Sequence, residues 1–345
     1  MTGALFATWP IGVALGVFAA GAVVTVLGSV RMAGLGDVLA DRTGWGEALF
    51  GAVFFGALTS LSGIVMTAVS AASDSPGLAY SNAVGGIAAQ TLAIAVADLA
   101  YSRANLEHAA ASLSNILFGC VLIALLTLVV LASFMPDVAV VGIHPMSLVI
   151  VAAYLGGVHL VRRSGETPMW RAVETGATRE DQPGSEEDDE RSTARIWVVF
   201  LAVGAVVAVG GWAVARAADS IVEVTGLSEG LVGAVFMGVV NALPETVTAI
   251  AAVRRGAVTL AVAAILGGNC LDALNVVVGD LAYRGGSIYH SAGTDQLFLT
   301  LGGILMTAVL VIGLLVRERR GPGRVGFEGV LLVGIYGAIV AVLAF

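Results

Sequence analysis

Ten long apolar runs, each of about 20 residues or more, fill most of this chain and limit its possible folds more than any other feature. A bilayer core about 30 Å thick is crossed by roughly 20 residues of α-helix, so each run is long enough to span a membrane. The runs cover residues 9–30, 48–73, 78–101, 107–133, 138–161, 196–217, 230–253, 257–283, 293–316 and 325–345. The sequence therefore predicts an all-α integral membrane protein with ten transmembrane helices.

The composition excludes most soluble functions. Only 12% of the residues are charged and the mean hydropathy is +0.94, whereas soluble domains carry about 25% charged residues. The net charge of −8 does not suit a nucleic-acid partner. Cys120 and Cys270 both lie in apolar runs, which favours core packing over a disulfide or a metal site. We expect the lipid bilayer as a partner, and neither a nucleic acid nor a bound cofactor.

The basic residues predict the orientation of the helices. All 17 are arginines. If the N-terminus is outside, ten helices leave 15 arginines in inside loops and 2, Arg216 and Arg284, outside. Inside loops of membrane proteins carry an excess of basic residues. This bias predicts a multi-pass protein of the cell membrane with its N-terminus and C-terminus outside.

One hydrophilic stretch, residues 164–194, divides the chain into two sets of five helices. It carries nine acidic residues, and its composition is typical of a solvated cytoplasmic linker. A docking or cation-sensing role is the alternative. We therefore expect a first five-helix repeat at 1–163 and a second at 195–345. Removal of about 168–190 is expected to leave folding and basal transport intact.

An internal repeat relates the two halves at an offset of 182 residues. LFGAVFFG at 49–56 aligns with LVGAVFMG at 231–238, and ADLAY at 97–101 aligns with GDLAY at 279–283. Over residues 49–101, 18 of 53 positions are identical. Since each copy has five helices, the second copy enters the membrane from the opposite side. The sequence therefore predicts two inverted five-helix repeats, an organisation typical of transporters with a substrate site near the midplane.

Acidic residues inside the predicted spans are candidate site residues, because an ionised acid there costs at least about 2.5–3.5 kcal/mol. They are Asp98, Glu245, Asp272 and Asp280. Glu245 follows Asn241 by one helical turn, and Pro244 between them frees a backbone carbonyl. Oxygen ligands of this kind suit hard cations. Glu245 and Asp272 are therefore the predicted metal ligands; a carboxyl group kept neutral by a hydrogen bond between helices is the alternative.

The first repeat has neutral residues at the matching positions. Gly63 aligns with Glu245, whereas Thr59, Ser60 and Gln90 keep hydroxyl or amide groups. One copy thus provides two acids and the other provides neutral oxygen atoms. We expect Thr59, Ser60 and Gln90 to face the same cation site.

Asp98 and Asp280 are equivalent in the repeat, each eight residues beyond the Gln90 or Asp272 position. Eight residues correspond to roughly 12 Å along a helix. The two acids should therefore lie near opposite faces of the membrane. They are candidates for the access paths of a cation; structural aspartates at helix ends are the alternative.

Four segments resemble the alpha-repeats of the cation/calcium exchanger superfamily, which contain a Gly-Thr-Ser-Leu-Pro-Glu-like segment followed by a Gly-Ser-Asn-x-x-Asn/Asp-like segment. The second repeat has VNALPE at 240–245 and GGNCLD at 267–272. The first has LTSLSG at 58–63 and GGIAAQ at 85–90. In both copies 27 residues separate the Glu position from the Asp position.

This resemblance implies a secondary active antiporter that exchanges Ca²⁺ or another divalent cation for Na⁺ or H⁺ by alternating access. Glu245 and Asp272 would be the central cation ligands, with oxygen atoms from Thr59, Asn241 and Gln90. The first and sixth helices would slide to alternate access. Inorganic cations would be the substrates, and a monomer would suffice for transport.

The chain departs from the family pattern at the first acidic position, where Gly63 replaces a glutamate. Glycines 86 and 268 also replace hydroxyl residues. A site with two acids balances one divalent or two monovalent cations, which favours electroneutral exchange. We expect Gly63→Glu to raise divalent affinity or to change the coupling ratio.

Two other functions compete with transport. Ser62 and Gly63 are similar to the nucleophile motif of rhomboid-type intramembrane proteases, but Ser60 breaks the Gly-x-Ser-Gly pattern. Asp98 and Asp280 could form an aspartyl dyad, although the repeat places them near opposite faces. A non-transporting scaffold or sensor is the second alternative. Movement of labelled cation against a counter-gradient distinguishes an exchanger from both.

Overall fold

The computed structural model describes most of the chain, and its secondary structure there is helical except for one isolated bridge between Val140 and Ile143. The described residues are 8–43, 60–101, 104–140, 142–166, 169–173, 175, 192–319 and 326–345. An all-helical fold was expected because continuous apolar runs must satisfy their backbone hydrogen bonds internally within a bilayer.

The first half of the chain contains six described helices. They are α1 (Ile11–Thr43), α2 (Leu61–Ala72), α3 (Pro76–Ala100), α4 (Leu106–Ala110), α5 (Leu113–Ala132) and α6 (Pro145–Glu166). The second half begins with a long helix and includes a π-helical turn at Val232–Met237. Its helices are α7 (Thr193–Thr225), α8 (Glu229–Leu231), α9 (Gly238–Arg255), α10 (Val258–Asp272), α11 (Asn275–Ala282), α12 (Thr294–Val316) and α13 (Phe327–Ala344).

Among the described residues, nine helical segments are long and apolar enough to cross a membrane. They correspond to nine of the ten predicted runs. The remaining run, 48–73, falls partly outside the described residues, and its described part is the 12-residue helix α2. The run predicted at 107–133 is divided, because the short helix α4 precedes α5. The protein is thus a multi-pass helical membrane protein.

Helix α3 and the α10–α11 segment are the most buried of these spans, and they occupy equivalent positions in the repeat. Helix α3 packs in parallel against α9. A Cβ added to Gly238 would lie 2.7 Å from the backbone carbon of Gly85, and one added to Gly86 would lie 2.6 Å from Nδ2 of Asn241. Small residues allow such close approach of membrane helices. The centre of the molecule is therefore built from tightly packed backbones.

Helices α1 and α7 form a pair beside this centre. A Cβ on Gly21 would lie 3.2 Å from the carbonyl oxygen of Gly210, and one on Gly28 would lie 2.5 Å from Val207. Large apolar side chains such as Leu27 and Leu201 are exposed on the outer surface. Because exposed apolar surface of this extent suits lipid, the pair lies at the periphery of the bundle.

The beginning of the predicted linker packs against the helices. The Arg317 guanidinium donates to the carbonyl oxygen of Val173 at 2.8 Å. A hydrogen bond of 2.9 Å joins Nε2 of His108 and Oγ1 of Thr175. Residues 176–191 lie outside the described residues. The expected solvated linker is therefore tied to the bundle at its start.

Candidate cation site

A helix interruption positions the most buried acid of the candidate site. Helix α10 ends at Asp272 and α11 begins at Asn275, so the span is broken beside the carboxylate. The equivalent span of the first repeat, α3, is continuous through Gln90. Broken helices in membranes occur where the freed backbone groups are buried in protein or line a cavity. The break therefore singles out the Asp272 region.

The Asp272 carboxylate is fully buried and has neutral polar neighbours. Gln90 donates to its Oδ2 at 2.7 Å, and Asn275 donates to its Oδ1 at 3.2 Å. The Ser60 hydroxyl lies beside the carboxylate without forming a well-aligned hydrogen bond. Three of the predicted residues, Asp272, Gln90 and Ser60, are thus brought together. Thr59, which was expected at the same site, lies outside the described residues.

Asn241 projects from α9 into a space left by two glycines of the first repeat. A Cβ on Gly63 would overlap the amide oxygen of Asn241, and a Cβ on Gly86 would lie 2.6 Å from its Nδ2. Asn241 is fully buried, and neither amide atom has a hydrogen-bond partner among the described residues. Its amide therefore occupies the volume in which a side chain at position 63 would begin.

Glu245 lies on the same face of α9 as Asn241, one turn further along, and is 6% exposed. Pro244 lies inside α9, so the carbonyl of Val240 loses its usual helical donor. One turn before Glu245, Asn241 of α9 contacts Gly86 of α3. One turn after Glu245, Ala249 of α9 packs in the same apolar cluster as Ile94 of α3. Because the two helices are parallel, this register puts Glu245 at about the depth of Gln90.

Two buried amides near the site were not predicted. Asn269 donates to Oγ1 of Thr91 at 3.0 Å, and its own amide oxygen has no described partner. Asn82 donates to Oγ1 of Thr67 at 2.9 Å and to the carbonyl of Gly63 at 3.3 Å. The signal for Asn82 was its position one turn before Gly86. Asn269 lies within the GGNCLD segment at 267–272, whose acidic residue alone indicated a ligand.

The arrangement provides oxygen atoms and little charge. Two carboxylates, Glu245 and Asp272, are the only acids among the predicted ligands, and the rest are amides and hydroxyls. Hard cations such as Ca²⁺ and Na⁺ prefer oxygen ligands of this type. The described residues contain no group of three or more His, Cys, Asp or Glu side chains arranged to hold a metal. Any cation held here would need neutral oxygen ligands in addition to the two carboxylates.

The two candidate access-path acids have equivalent backbone contacts at opposite ends of the bundle. Oδ1 of Asp280 accepts from the amide of Ile288 at 3.4 Å, and Oδ1 of Asp98 accepts from Leu106 at 2.6 Å. The amide of His144 donates to Asp280 at 2.9 Å. These donors favour a structural role for Asp280. Neither acid lies in the Asp272 cluster.

The fold and the buried polar cluster define a class of protein: a multi-pass helical membrane protein with buried carboxyl, amide and hydroxyl groups between two repeated segments. The family model described as "Sodium/calcium exchanger protein" matches residues 13–161 and 195–345. Because the match covers most of the chain, this protein belongs to the sodium/calcium exchanger family. It is a cation antiporter and not an enzyme, and the protease alternative is not favoured.

Solved structures show the same fold at low sequence identity. The H⁺/Ca²⁺ exchanger CAX matches with a TM-score of 0.66 and 15% identity, over 96% of this chain and 85% of that chain. Native YfkE matches with a TM-score of 0.64 and 16% identity, over 97% and 93%. The sodium-calcium exchanger NCX_Mj matches with a TM-score of 0.56 and 16% identity, over 96% and 99%. No curated protein shows significant similarity to this chain.

Proposed function

We propose that this protein exchanges Ca²⁺, or another divalent cation, for Na⁺ or H⁺ by alternating access. The transported cation would be held by the carboxylates of Glu245 and Asp272. The amides of Asn241 and Gln90, with the hydroxyl groups of Thr59 and Ser60, would supply neutral oxygen atoms. A monomer would contain the complete site.

The observation that carries this proposal is the hydrogen bond between Gln90 and Asp272. These residues are 182 positions apart and occupy the same place in the two repeats. Transporters built from repeats hold their substrate where the copies meet. A fully buried carboxylate at this junction, next to a helix break, is an expensive arrangement that cation binding would offset. The ions in the names of the H⁺/Ca²⁺ exchanger CAX and the sodium-calcium exchanger NCX_Mj support the choice of ions.

The contacts of Asp98 and Asp280 support an inverted relationship of the repeats. Their donor residues, Leu106 and Ile288, are also 182 positions apart, and Gly326 faces Asp98 as His144 faces Asp280. Equivalent contacts at opposite ends of the bundle are what an inverted repeat would produce. We therefore propose ten spans, the second of which is the 48–73 run.

The arginine distribution supports a cell-membrane protein with both termini outside. In this orientation, the end of the bundle that contains Asp98 faces inside, and the end that contains Asp280 faces outside. Cysteine labelling of an introduced Thr8→Cys residue in intact cells, with Cys120 and Cys270 replaced by alanine, tests this orientation. Labelling by an impermeant maleimide only after lysis would contradict it.

Cation flux into proteoliposomes tests the proposed activity. Purified protein would be reconstituted with Na⁺ or a proton gradient inside, and uptake of ⁴⁵Ca²⁺ would be followed with each counter-ion. We expect uptake that depends on one of these gradients. Parallel assays with Mg²⁺, K⁺ and Sr²⁺ as competitors would identify the preferred cation.

Neutral variants connect the flux to the site. Glu245→Gln and Asp272→Asn should each abolish uptake, because either change removes half of the ligand charge. Glu223→Gln, an exposed acid near the end of α7, is the matched control and should transport normally. Unchanged uptake by well-folded Glu245→Gln protein would contradict the proposed site, and absence of uptake with every cation would contradict the proposed function.

A further inference from the structure

The equivalent residues Asp98 and Asp280 have different surroundings at the two ends of the bundle. At the Asp280 end, the Ser147 hydroxyl donates to the carboxylate at 2.7 Å and lies 2.8 Å from the Tyr289 hydroxyl. Tyr289 is fully buried, and burial raises its pKa, so its phenol stays neutral. Asp280 is therefore surrounded by neutral donors.

At the other end, acids replace these donors. Glu107 occupies the repeat position of Tyr289, and Glu328 lies in the first turn of helix α13, in the region equivalent to Ser147. The amide of Leu106, the residue before Glu107, donates to Asp98. The carboxyl groups of Glu107 and Glu328 interact with each other, and the charge of each interacts with Asp98. Where one end of the molecule has two hydroxyl donors, the other end has two more carboxyl groups.

These three carboxyl groups are buried and have few donors. Asp98 and Glu107 are 1% exposed and Glu328 is 0% exposed. Of their six carboxyl oxygens, only Oδ1 of Asp98 receives a well-formed hydrogen bond from the described residues. The Glu328 side chain packs over Gly313 of α12, where a Cβ would lie 2.7 Å from its Cγ. Packing on this glycine keeps the carboxyl group away from water.

His108, Arg317 and Glu318, on elements next to this trio of acids, form hydrogen bonds with groups outside it. On α4, His108 bonds to the carbonyl of Arg317 and to Thr175. Beyond α12, the Arg317 guanidinium donates to the carbonyls of His108 and Val173. Glu318 accepts from the amide of Phe327 at 3.3 Å. Helices α10 and α13 contribute no basic residue. Arg254 on α9 and Arg319 beyond α12 also form no ion pair with the trio, so no described basic side chain is paired with these three acids.

Three ionised carboxylates in this volume would repel each other and lack hydration, which is costly. A proton on one glutamate removes a charge and supplies the missing donor, because a carboxylic acid O–H can donate to the facing carboxylate. A metal ion is the other way to balance the charge, but the described residues contain no group of acids with metal-binding geometry. The observations therefore favour a shared proton.

We propose that Asp98, Glu107 and Glu328 form a proton-binding site, separate from the Glu245 and Asp272 site, that controls transport from the end of the bundle predicted to face inside. Loss of the proton would drive Glu107 and Glu328 apart and loosen α4 and α13 from the end of α3. Helix α3 carries Gln90, eight residues from Asp98. Transport should therefore slow as the pH at this end rises.

Glu107, which lies outside the membrane spans, has the expected ionisation behaviour. Its pKa is raised well above the ordinary value of 4.5, first by burial and then by the charges of Glu328 and Asp98. A proton can therefore remain bound at pH values where an exposed glutamate is ionised. The raised pKa of Glu107 therefore supports the proposed proton-binding site.

Infrared spectroscopy tests proton binding without relying on transport. A protonated carboxylic acid has a characteristic carbonyl band. Ionised carboxylates lack this band, and amides absorb in a different region of the spectrum. We expect this band to have a pH-dependent component in the full-length wild-type protein that is missing from both Glu107→Gln and Glu328→Gln. Glu318→Gln, the same change at a neighbouring acid outside the trio, should leave the band intact. A band that is unchanged in both trio variants would overturn the proposal.

Flux measurements with the pH varied on one side at a time test the control of transport. Wild-type and Glu318→Gln uptake should fall as pH rises on one side only, whereas Glu107→Gln uptake should lose this dependence. Dependence that persists in both trio variants would overturn the proposal. Equilibrium binding of ⁴⁵Ca²⁺ completes the test. Loss of one bound Ca²⁺ in Glu107→Gln, without a change in the carbonyl band, would identify a cation site instead and would also overturn it.

Discussion

Gln90 donates a 2.7 Å hydrogen bond to Asp272, the residue that stands at its own position in the other repeat. The two copies therefore meet at an unequal pair, in which one member is a carboxylate and the other is an amide. An amide can donate to the carboxylate and still offer its oxygen to a cation. A second carboxylate at position 90 could only accept.

The Gln90 hydrogen bond should contribute to cation affinity. Gln90→Leu keeps the volume but removes the amide donor and its oxygen atom. A hydrogen bond to a charged group contributes about 1.5–3 kcal/mol, so we expect apparent affinity for the divalent cation to fall about tenfold to a hundredfold. Initial uptake rates over a range of cation concentrations measure this change.

Gln296 provides the matched control for this substitution. It is also a buried glutamine, but it donates to Ser81 at 3.1 Å and accepts from the amide of Gly293 at 3.0 Å, away from Asp272. Gln296→Leu should lower the melting temperature and leave apparent affinity unchanged. If the two variants lose affinity equally, Gln90 acts through general stability and not as a ligand.

Placing an acid at position 63 should require a second change at Asn241. A Cβ on Gly63 overlaps the Asn241 amide, so the Gly63→Glu variant alone is now expected to lose stability and transport. In Gly63→Glu/Asn241→Ala, the glutamate has room to extend, and the site gains a negative charge. We expect the double variant to recover folding and to bind divalent cations more tightly than Asn241→Ala alone.

A double-mutant cycle with Gly63→Glu, Asn241→Ala and the combination measures this coupling. The melting temperatures and the ⁴⁵Ca²⁺ affinities of all four proteins are the observables. Additive effects of the two substitutions would show that the side chains do not compete for the same space. Gly63→Ala, which adds the Cβ without a charge, separates crowding from electrostatics.

The repeat allowed much of the central site to be predicted from the sequence. An offset of 182 residues aligned Gln90 with Asp272, and the helix periodicity put Asn241 and Glu245 on one face. Both relationships, the repeat offset and the spacing within one helix, can be seen in a single sequence. The direct contact of Gln90 and Asp272 follows from them once the copies pack together.

Other features depend on tertiary packing and could not be predicted. Asn241 fills the space of the missing side chain at Gly63 because α2, α3 and α9 approach closely, and no sequence pattern states that distance. Glu107 and Glu328 were not among the predicted buried acids. Both stand near ends of apolar runs, where an acid is ordinarily solvated. Glu107 is buried because α4 forms a separate short helix before α5.

The contacts of the linker change the deletion that should be tolerated. Residues 173 and 175 contact Arg317 and His108, so removal of 168–190 should lower stability, contrary to the expectation for a fully solvated linker. Replacing residues 176–191 by a Gly/Ser sequence of equal length keeps these contacts. We expect that variant to match the wild type in melting temperature and flux, and complete loss of flux would indicate a regulatory element.

Thermal stability should fall with rising pH because of Glu107. Its folded-state pKa is raised, so the folded protein binds this proton more tightly than the unfolded chain does. The resulting stability is fully present below the ordinary value of about 4.5 and is lost as pH rises through the raised value. Melting temperatures between about pH 5 and pH 8 should decline less in Glu107→Gln than in the wild type. Parallel declines in the two proteins would contradict this assignment.

The ligand charge of the central site should make exchange electroneutral. Glu245 and Asp272 supply two negative charges when ionised, and Asn241, Gln90 and Ser60 supply none. An unpaired charge is costly in this low-dielectric environment. One divalent cation, two Na⁺ or two protons would each balance the site. A third Na⁺ would leave it positive, because Gly63 stands where the family has a second glutamate. The coupling should therefore be one divalent cation for two monovalent ions.

Clamping the membrane potential measures the charge moved in each cycle. Proteoliposomes with valinomycin and set K⁺ gradients would hold the potential at positive, zero and negative values while ⁴⁵Ca²⁺ uptake is followed. We expect equal initial rates at all three potentials. In the Gly63→Glu/Asn241→Ala variant, the added carboxylate would allow a third monovalent cation to bind, and uptake should become dependent on potential. A steep dependence in the wild type would show that another charged group, Asp98 or Asp280 included, takes part in the cycle.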